Sequence, residues 1–323
     1  MESIYELKAL LEDPAIHNVL ILPHNMPDGD TLGSCIGVYY MVKHFNKKGY
    51  IVLNDDIPSN LSFLFEEEVK CYQLSEIEDI HFELSIAVDA GETKLFEDRF
   101  EAFKASNKTV CIDHHKTNSM YAEINIVEVA ASSTGEIVYQ LMKNFECNIN
   151  SIAGQGLYAA IVTDTGSFRY SNTRSETFVA CSELIQTGFD FNRLNVEIFQ
   201  NKSYEKVLLL NKVFDTLELY GNHKIAVVKL SEALIKSLNL SEYDTDGIVE
   251  FVRDIKGIEV VVFIRHLGGE AHKVSMRSKH NVDVSEVAML FHGGGHTKAA
   301  GFKMDASIDS IEAKVVEALL KVI

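Results

Sequence analysis

The sequence predicts an α/β protein in two parts: a parallel-sheet domain with helices on both faces, a helical connector, and a smaller α/β domain at the C-terminal end. Three observations predict this. Strand-length apolar runs alternate with stretches of helical periodicity, the pattern of a parallel sheet with crossover helices. Several of those runs stop abruptly at clusters of Asp, His and Gly, where an open sheet presents its loops to a ligand. A length of 323 residues also exceeds what one core usually organises. The boundaries expected are 1–190, 191–219 and 220–323.

Taken in order, Ser3–Leu11 reads as a short amphipathic helix and His17–Leu22 as an apolar strand ending in the polar run Pro23–Asp30. Leu32–Phe45 has helical periodicity, and Tyr50–Leu53 is a second strand. Two more strands end at acids: Leu84–Val88 before Asp89, and Thr109–Ile112 before Asp113. Ile137–Phe145 is helical and is preceded by Ser133-Thr134-Gly135-Glu136, a capping-box pattern. Gly156–Val162 reads as a helix leading into the polar run Thr163–Thr173. Asn192–Leu219 holds neither Pro nor Gly and reads as one long helical connector. His223–Leu230, Ile258–Arg265 and Lys273–Arg277 read as strands, the last two around a Gly268-Gly269 turn. Val284–Leu290 is helical, the run Gly293–Gly295 follows, Gly301–Met304 is a strand and Ile311–Val322 a final helix.

Composition narrows the function. Hydrophobic residues at 46% and charged residues at 24% are the balance of a folded globular chain. No apolar run approaches membrane-spanning length, and no basic stretch precedes an apolar core near Met1, so neither a membrane partner nor a secretory leader is expected. The five cysteines are scattered and form no C-x-x-C pair, which argues against a disulfide framework or a zinc-cysteine site and for reduced thiols in a cytoplasm. A net charge of −17 disfavours long duplex nucleic acid. A small phosphate compound remains compatible, because it responds to a local cationic pocket that metal ions can supply.

Four polar clusters carry the chemistry. The first runs from His24 through Asp28-Gly29-Asp30 to Gly33-Ser34. Two carboxylates side by side repel unless a cation lies between them, and His24 adds a nitrogen donor. Pro27-Asp28-Gly29-Asp30 alone also reads as a turn that caps the next helix. Asp89 at the tip of one apolar strand, Asp113-His114-His115 at the tip of another, and Asp164 after Ile161-Val162-Thr163 each have a similar plain reading as loop caps. Four such sites at matching element ends favour a metal centre. Mixed His and Asp donors without cysteine suit Mn²⁺ foremost, with Mg²⁺, Co²⁺ or Fe²⁺ as alternatives to a structural zinc.

With these residues in view, the chain resembles the DHH phosphoesterase superfamily, named for the triplet present here as Asp113-His114-His115. The motif from His24 to Ser34 is complete, the triplet is followed by Lys116-Thr117-Asn118, and Thr163–Tyr170 matches a further motif. Gly293-Gly294-Gly295-His296, with Lys298 and Ala299-Ala300-Gly301, is similar to the signature of the DHH-associated C-terminal domain. The two-domain length resembles the branch of bacterial oligoribonucleases (nanoRNases) and 3′-phosphoadenosine-5′-phosphate phosphatases. The resemblance implies that His24, Asp28 and Asp89 hold one divalent ion. It implies that Asp30, Asp89, His114 and Asp164 hold a second, with Asp89 bridging. Asp113 would orient the site and His115 would face the substrate phosphate.

Four ligand carboxylates balance the charge of two divalent ions, so stabilising a phosphoryl transition state requires further cations. His115 is one candidate and Arg169 a weaker one. Arg265 and Arg277, on adjacent strands, could bind phosphate or stack on a base; a solvated strand arginine is the plainer reading. Gly294 and Gly295 could offer backbone N–H groups to an anion, or the glycines could simply end the preceding helix. The resemblance places Gly294, Gly295, His296 and Lys298 at the nucleotide, gripped across a cleft between the domains. The leading expectation is an enzyme that degrades short RNA to nucleoside monophosphates and also dephosphorylates 3′-phosphoadenosine 5′-phosphate. Linear diadenylate or cyclic di-AMP is the alternative substrate, a nucleotide sensor without turnover is the alternative of another class, and a homodimer is compatible with all of them.

Overall fold

The computed structural model describes residues 2–65, 68–238, 245 and 247–323, with His296 described by its backbone alone. The chain divides into two compact units, Met1–Asn201 and Lys202–Ile323. Among the described residues, no helix is long and apolar enough to cross a membrane.

The first unit is built on a six-stranded parallel sheet. Its strands are β1 (Asn18–Pro23), β2 (Lys48–Val52), β3 (Cys71–Tyr72), β4 (Leu84–Val88), β5 (Lys108–Asp113) and β6 (Ile124–Val127), in the order β3-β2-β1-β4-β5-β6. Near-continuous apolar runs are what a strand buried on both faces requires, and β1 and β4 are buried along almost their whole length. Val19 and Ile21 point into one core, while Leu20 and Leu22 point into another on the opposite face. The larger core receives α1 (Glu2–Glu12), α2 (Gly29–His44), α4 (Thr134–Asn144), α5 (Ser151–Asp164) and α6 (Ser175–Ile185). The other is closed by Phe96 of the 3₁₀ segment Thr93–Arg99 and by Phe103 of α3 (Phe100–Ala105).

Helices α2 and α5 cross at two glycines. A Cβ on Gly33 would lie 2.1 Å from the Gly156 carbonyl oxygen, so only glycine lets the two backbones come this close. That contact brings the N-terminal end of α2, which carries Asp30, toward the C-terminal end of α5, which carries Asp164.

The connector expected over Asn192–Leu219 is not one helix. A short helix α7 (Phe191–Asn195) passes into a π turn, Val196–Gln200, and the chain opens at residues 201–203. Helix α8 (Tyr204–Phe214) then starts on Ser203, whose hydroxyl accepts from the Lys206 N–H. A side chain that serves so well as a cap starts a helix instead of continuing one. The strand β7 (Glu218–Tyr220) begins before the connector was expected to end.

The second unit holds a mixed sheet in the order β11-β12-β10-β9-β8-β7. Its remaining strands are β8 (Ile225–Leu230), β9 (Val260–Gly268), β10 (Ala271–Ser278), β11 (Gly294–His296) and β12 (Ala299–Asp305). Among the described residues, β8 and β9 pair parallel and the other pairs of this sheet are antiparallel. One face packs on α11 (Val284–Met289) and α12 (Ile308–Leu319). The opposite face is covered near β8 and β9 by α8 and α10 (Ile248–Arg253). The short helix α9 (Glu232–Leu238) follows β8.

Candidate metal centre

The strand order reverses between β1 and β4, which lie side by side with their neighbours wound in opposite directions. A crevice opens at the carboxyl ends of strands at such a point. The chain fills it with chemistry: His24 to Asp28 follow β1, Asp89 follows β4, and His114 and His115 follow β5. Asp30 lies in the first turn of α2 and Asp164 in the last residue of α5. Asp89 has a left-handed backbone, φ +58°, a conformation that aspartate tolerates better than branched residues do. Strain of this kind persists where the surroundings over-determine a functional residue.

The six residues expected as ligands converge. Asp89 faces three imidazoles with its two oxygens: Oδ2 lies 3.6 Å from His24 Nε2, and Oδ1 lies 3.8 Å from His114 Nε2 and 3.7 Å from His115 Nδ1. His24 Nε2 is also 3.9 Å from Asp28 Oδ1. His114 Nε2 is 3.8 Å from Asp30 Oδ2 and 3.9 Å from Asp164 Oδ2. Among the described residues, three overlapping groups could hold an ion: His24 with Asp28 and Asp89, Asp30 with His114 and Asp164, and Asp89 with His114 and His115. The His24 Nδ1–H donates to the Asn25 carbonyl at 2.8 Å, which leaves Nε2 as the lone-pair nitrogen aimed at the acids.

The carboxylates are held before any ion arrives. Asp30 accepts from the Thr134 N–H at 2.8 Å, the Gly135 N–H at 2.9 Å and the Ser34 hydroxyl at 3.1 Å. The positive end of the α4 dipole therefore rests on a buried acid. Asp89 accepts from the Thr31 hydroxyl at 2.7 Å and the Thr134 hydroxyl at 2.8 Å, one on each oxygen. Asp28 caps α2 through the Thr31 N–H, so the plain reading of that turn holds and is compatible with a ligand role. Asp164 accepts from the Asn172 amide at 3.2 Å.

Electrostatics show why the donors call for cations. Burial, then the charges of Asp89, Asp164 and Asp28, push the Asp30 carboxyl well above its ordinary range. Burial likewise pushes Asp164 up to about 7, with Asp28 and Asp89 adding to it and His114 opposing. Crowded buried acids keep their charge only when something positive sits among them. The separations fit that role. Ligand atoms about 2.1 Å from a shared ion lie roughly 3.0–3.6 Å apart, close to the spacings found here and longer than hydrogen bonds. Donor type and spacing both fit two divalent ions.

His115 behaves differently. Its Nδ1 lies 2.7 Å from Asp113 Oδ1, and Asn118 donates to the other Asp113 oxygen at 2.6 Å. Burial opposes charge on His115, but the Asp113 bond and the Asp89, Asp113 and Asp164 charges outweigh it and raise the imidazole to about 9. Asp113 is correspondingly lowered: burial works against its charge, and His115 with Asn118 more than offset it. The pair is an imidazolium on a buried carboxylate beside the ligand cluster. Arg169 donates through Nε to the Gly166 carbonyl at 2.6 Å, bracing its own turn.

In the second unit, Arg265 and Arg277 do lie on adjacent strands and share a sheet face. Register pairs Arg265 with Lys273, and Arg277 with Val261 on one side and Ala299 on the other. Arg265 is buried. Arg277 pairs with Glu250 of α10 at 3.1 Å. Lys298 Nζ donates to the His280 carbonyl. After α11, His292 takes the left-handed position at φ +61°, and the Gly293 N–H closes the helix end on the Ala288 carbonyl at 2.9 Å. Gly294–His296 then pairs antiparallel with β12, Gly294 opposite Gly301. A Cβ on Gly293 would lie 2.3 Å from the Gly301 carbonyl, so close strand approach is what the glycine permits. The expectation for the His296 side chain lies outside the described residues.

The supports of the acids were not singled out from sequence: Thr31, Thr134, Asn118 and Asn172. Thr31 and Thr134 did carry a signal, since each sits at a helix start beside a cluster already chosen. Ser133 caps α4 as the motif implies, but the Glu136 carboxylate does not close the box. It binds Ser132 N–H and hydroxyl, the Thr177 hydroxyl and Arg174. Those partners from α6 and the preceding loop out-compete a single backbone N–H for a buried charge.

Comparison with known proteins adds an independent line. Residues 18–162 match the model described as "DHH family, N-terminal domain", and residues 222–323 match the "DHHA1 domain". The chain is 32% identical to the probable bifunctional oligoribonuclease and PAP phosphatase NrnA of Streptococcus mutans over 291 residues, covering 89% of each. It is 28% identical to the bifunctional oligoribonuclease and PAP phosphatase NrnA of Thermus thermophilus, over 99% of this chain and 93% of that one. A crystal structure of an exopolyphosphatase-related protein from Bacteroides fragilis superposes with a TM-score of 0.91 at 22% identity, covering 99% and 96% of the two chains.

Proposed function

We propose that this chain, which belongs to the DHH family and carries a DHHA1 domain at its C-terminal end, hydrolyses the phosphoester bonds of short oligoribonucleotides and of 3′-phosphoadenosine 5′-phosphate. The observation that carries the reading is Asp89 between His24 and His114, one oxygen toward each. The NrnA relatives, whose names give the same pair of activities over nearly the full chain, support the substrate class.

His24, Asp28 and Asp89 would hold one divalent ion, and Asp30, Asp89, His114 and Asp164 the other. Mn²⁺ is the ion proposed, because borderline nitrogen and hard oxygen donors are mixed without sulfur. When bound, such a pair lowers the pKa of water and offsets charge on the phosphoryl oxygens. The residues of the chain supply the rest. The α4 N-terminus and the Thr31 and Thr134 hydroxyls fix the acids in place. His115, whose charged form the Asp113 hydrogen bond favours, is proposed to face the substrate phosphate, where the neutral metal-carboxylate core has no charge left over. Arg265, Arg277, Gly294, Gly295, His296 and Lys298 of the second unit are proposed to grip the remainder of the nucleotide. Five free cysteines, four of them buried, fit work in a reducing cytoplasm.

One assay panel tests this. With Mn²⁺ present, RNA dimers to pentamers, 3′-phosphoadenosine 5′-phosphate, linear and cyclic diadenylate, and a long single strand are ranked by kcat/KM. Short RNA and 3′-phosphoadenosine 5′-phosphate should lead. A lead by the long strand or the cyclic dinucleotide would sink the substrate assignment while leaving the hydrolase reading intact.

A further inference from the structure

The Arg99 guanidinium is fully buried, yet no ligand or substrate role falls to it. It ends the 3₁₀ segment that follows Asp89 and reaches two other elements. Nη1 donates to the Val52 carbonyl at the end of β2, at 2.6 Å. Nη2 donates to the Asn25 side-chain oxygen in the loop after β1. Nε lies 3.4 Å from the Asp98 carboxylate, which is partly exposed. A guanidinium cannot shed its proton, so burying it with one long, partly solvated ion pair costs stability that an apolar side chain of similar volume would not. Its placement therefore needs another reason.

Asn25 supplies one. Its backbone carbonyl accepts from His24 Nδ1 and so sets which ring nitrogen faces Asp28 and Asp89. The rest of its loop has few anchors: the Asn25 N–H donates to the Leu95 carbonyl at 2.6 Å, and the Met26 N–H donates to Asp55 at 2.8 Å. Met26 itself is left-handed at φ +53°. Arg99 ties the Asn25 side chain to the β2 end through Val52, and Asp98 of the same segment also hydrogen-bonds the Asn25 side chain.

We infer that Arg99 is a positioning residue for the ion held by His24, acting through Asn25, and that the second ion does not depend on it. The inference rests on the two-ion reading of the centre. Groups that orient a metal-bound imidazole through a second residue change metal affinity while leaving the ligands in place.

The test is Mn²⁺ binding to the full chain without substrate, read by electron paramagnetic resonance of the free ion, on wild type, Asn25→Ala, Arg99→Met and the double variant. Wild type should bind two ions. Asn25→Ala and Arg99→Met should each weaken one of the two by about 10-fold and leave the other unchanged, and the double variant should be no weaker than either single one. A role confined to folding would lower the melting temperature without singling out one ion. If Arg99→Met does not fold, Asn25→Ala decides alone. Two ions bound with wild-type affinity in Asn25→Ala, or losses that multiply in the double variant, overturn the positioning role and leave the two-ion reading standing. A wild-type chain that binds fewer than two Mn²⁺ ions overturns the two-ion reading itself.

Discussion

The acidic centre of the first unit and the basic sheet face of the second unit solve opposite problems with different materials. In the first, four carboxylates crowd a strand crevice, and each is held by backbone N–H groups, threonine or serine hydroxyls, or an asparagine amide. In the second, Arg265 and Arg277 stand on β9 and β10, and Arg277 is held by the Glu250 carboxylate of α10 and the Met276 carbonyl. Fixing like charges together requires many weak neutral donors, because a strong cationic partner would occupy the place of the ion. An arginine that meets an anion, as proposed for Arg277, needs only modest partners that a phosphate can replace. Rigidity in one unit and exchangeable pairing in the other is the difference that perturbation should expose.

The largest effect belongs to the bridging acid. Asp89→Ala removes an oxygen from each proposed ion, and metal assistance is worth several kcal/mol, so kcat/KM should fall by roughly 10³-fold or more. The melting temperature should stay near that of wild type, because the change also relieves repulsion on Asp30. Retained Mn²⁺-dependent activity would remove Asp89 from the bridge.

Next comes a support. Thr134→Val keeps the shape and the N–H to Asp30 but deletes the hydroxyl bond to Asp89. Mn²⁺ affinity should drop by about 10- to 100-fold, and activity should recover at high Mn²⁺. An unchanged titration would mean that the neutral donors are decorative and the contrast with the second unit false.

Arg277→Ala probes the other side. Loss of a charge-assisted contact should raise KM by about 10-fold, with kcat and Mn²⁺ binding little changed. A fall in Mn²⁺ affinity would show that the two units do not divide the labour.

The same contrast governs what could be read from the sequence. Asp28, Asp30, Asp89 and Asp164 were legible because acids at the tips of apolar runs conflict with the local pattern, and conflict marks function. Leu84–Val88 forms its strand over the residues that the periodicity indicated. Thr31, Thr134, Asn118 and Asn172 were not legible, since a polar residue at a helix start or in a loop has an ordinary use there, and only the tertiary fold shows which acid it meets. Ser203 hid for the same reason: it lies inside a run without Pro or Gly, yet it caps α8 and divides the connector. In the second unit the glycine run was visible, but its reason was not. Gly294–His296 pairs with β12 as a hairpin across residues 297–298, a local pairing that three glycines, poor strand formers, do not announce.

The smallest effect concerns pH. In the unfolded chain, aspartates titrate near pH 4 and histidine near pH 6.5. In the folded, metal-free chain, Asp164 is raised to about 7 and Asp30 well above its usual range, both first by burial and then by neighbouring carboxylates. Their stabilising contribution is therefore complete only below about pH 4 and is lost as pH climbs through the folded values. His115, raised to about 9, contributes fully below about pH 6.5 and loses that contribution as pH passes through 9. All three groups thus make the metal-free chain less stable toward alkaline pH. Divalent ions bind the deprotonated acids, so they return most where the protons have left. Thermal melts of chelator-treated protein should fall from about pH 5.5 to about pH 8, and saturating Mn²⁺ should raise the melting temperature by about 5 °C at the higher pH and by less at the lower. Among the described residues, no such crowded acids surround Arg277, so Arg277→Ala should leave this increment intact. Equal increments at both pH values would mean that the crowded acids of the first unit are not what the ions bind.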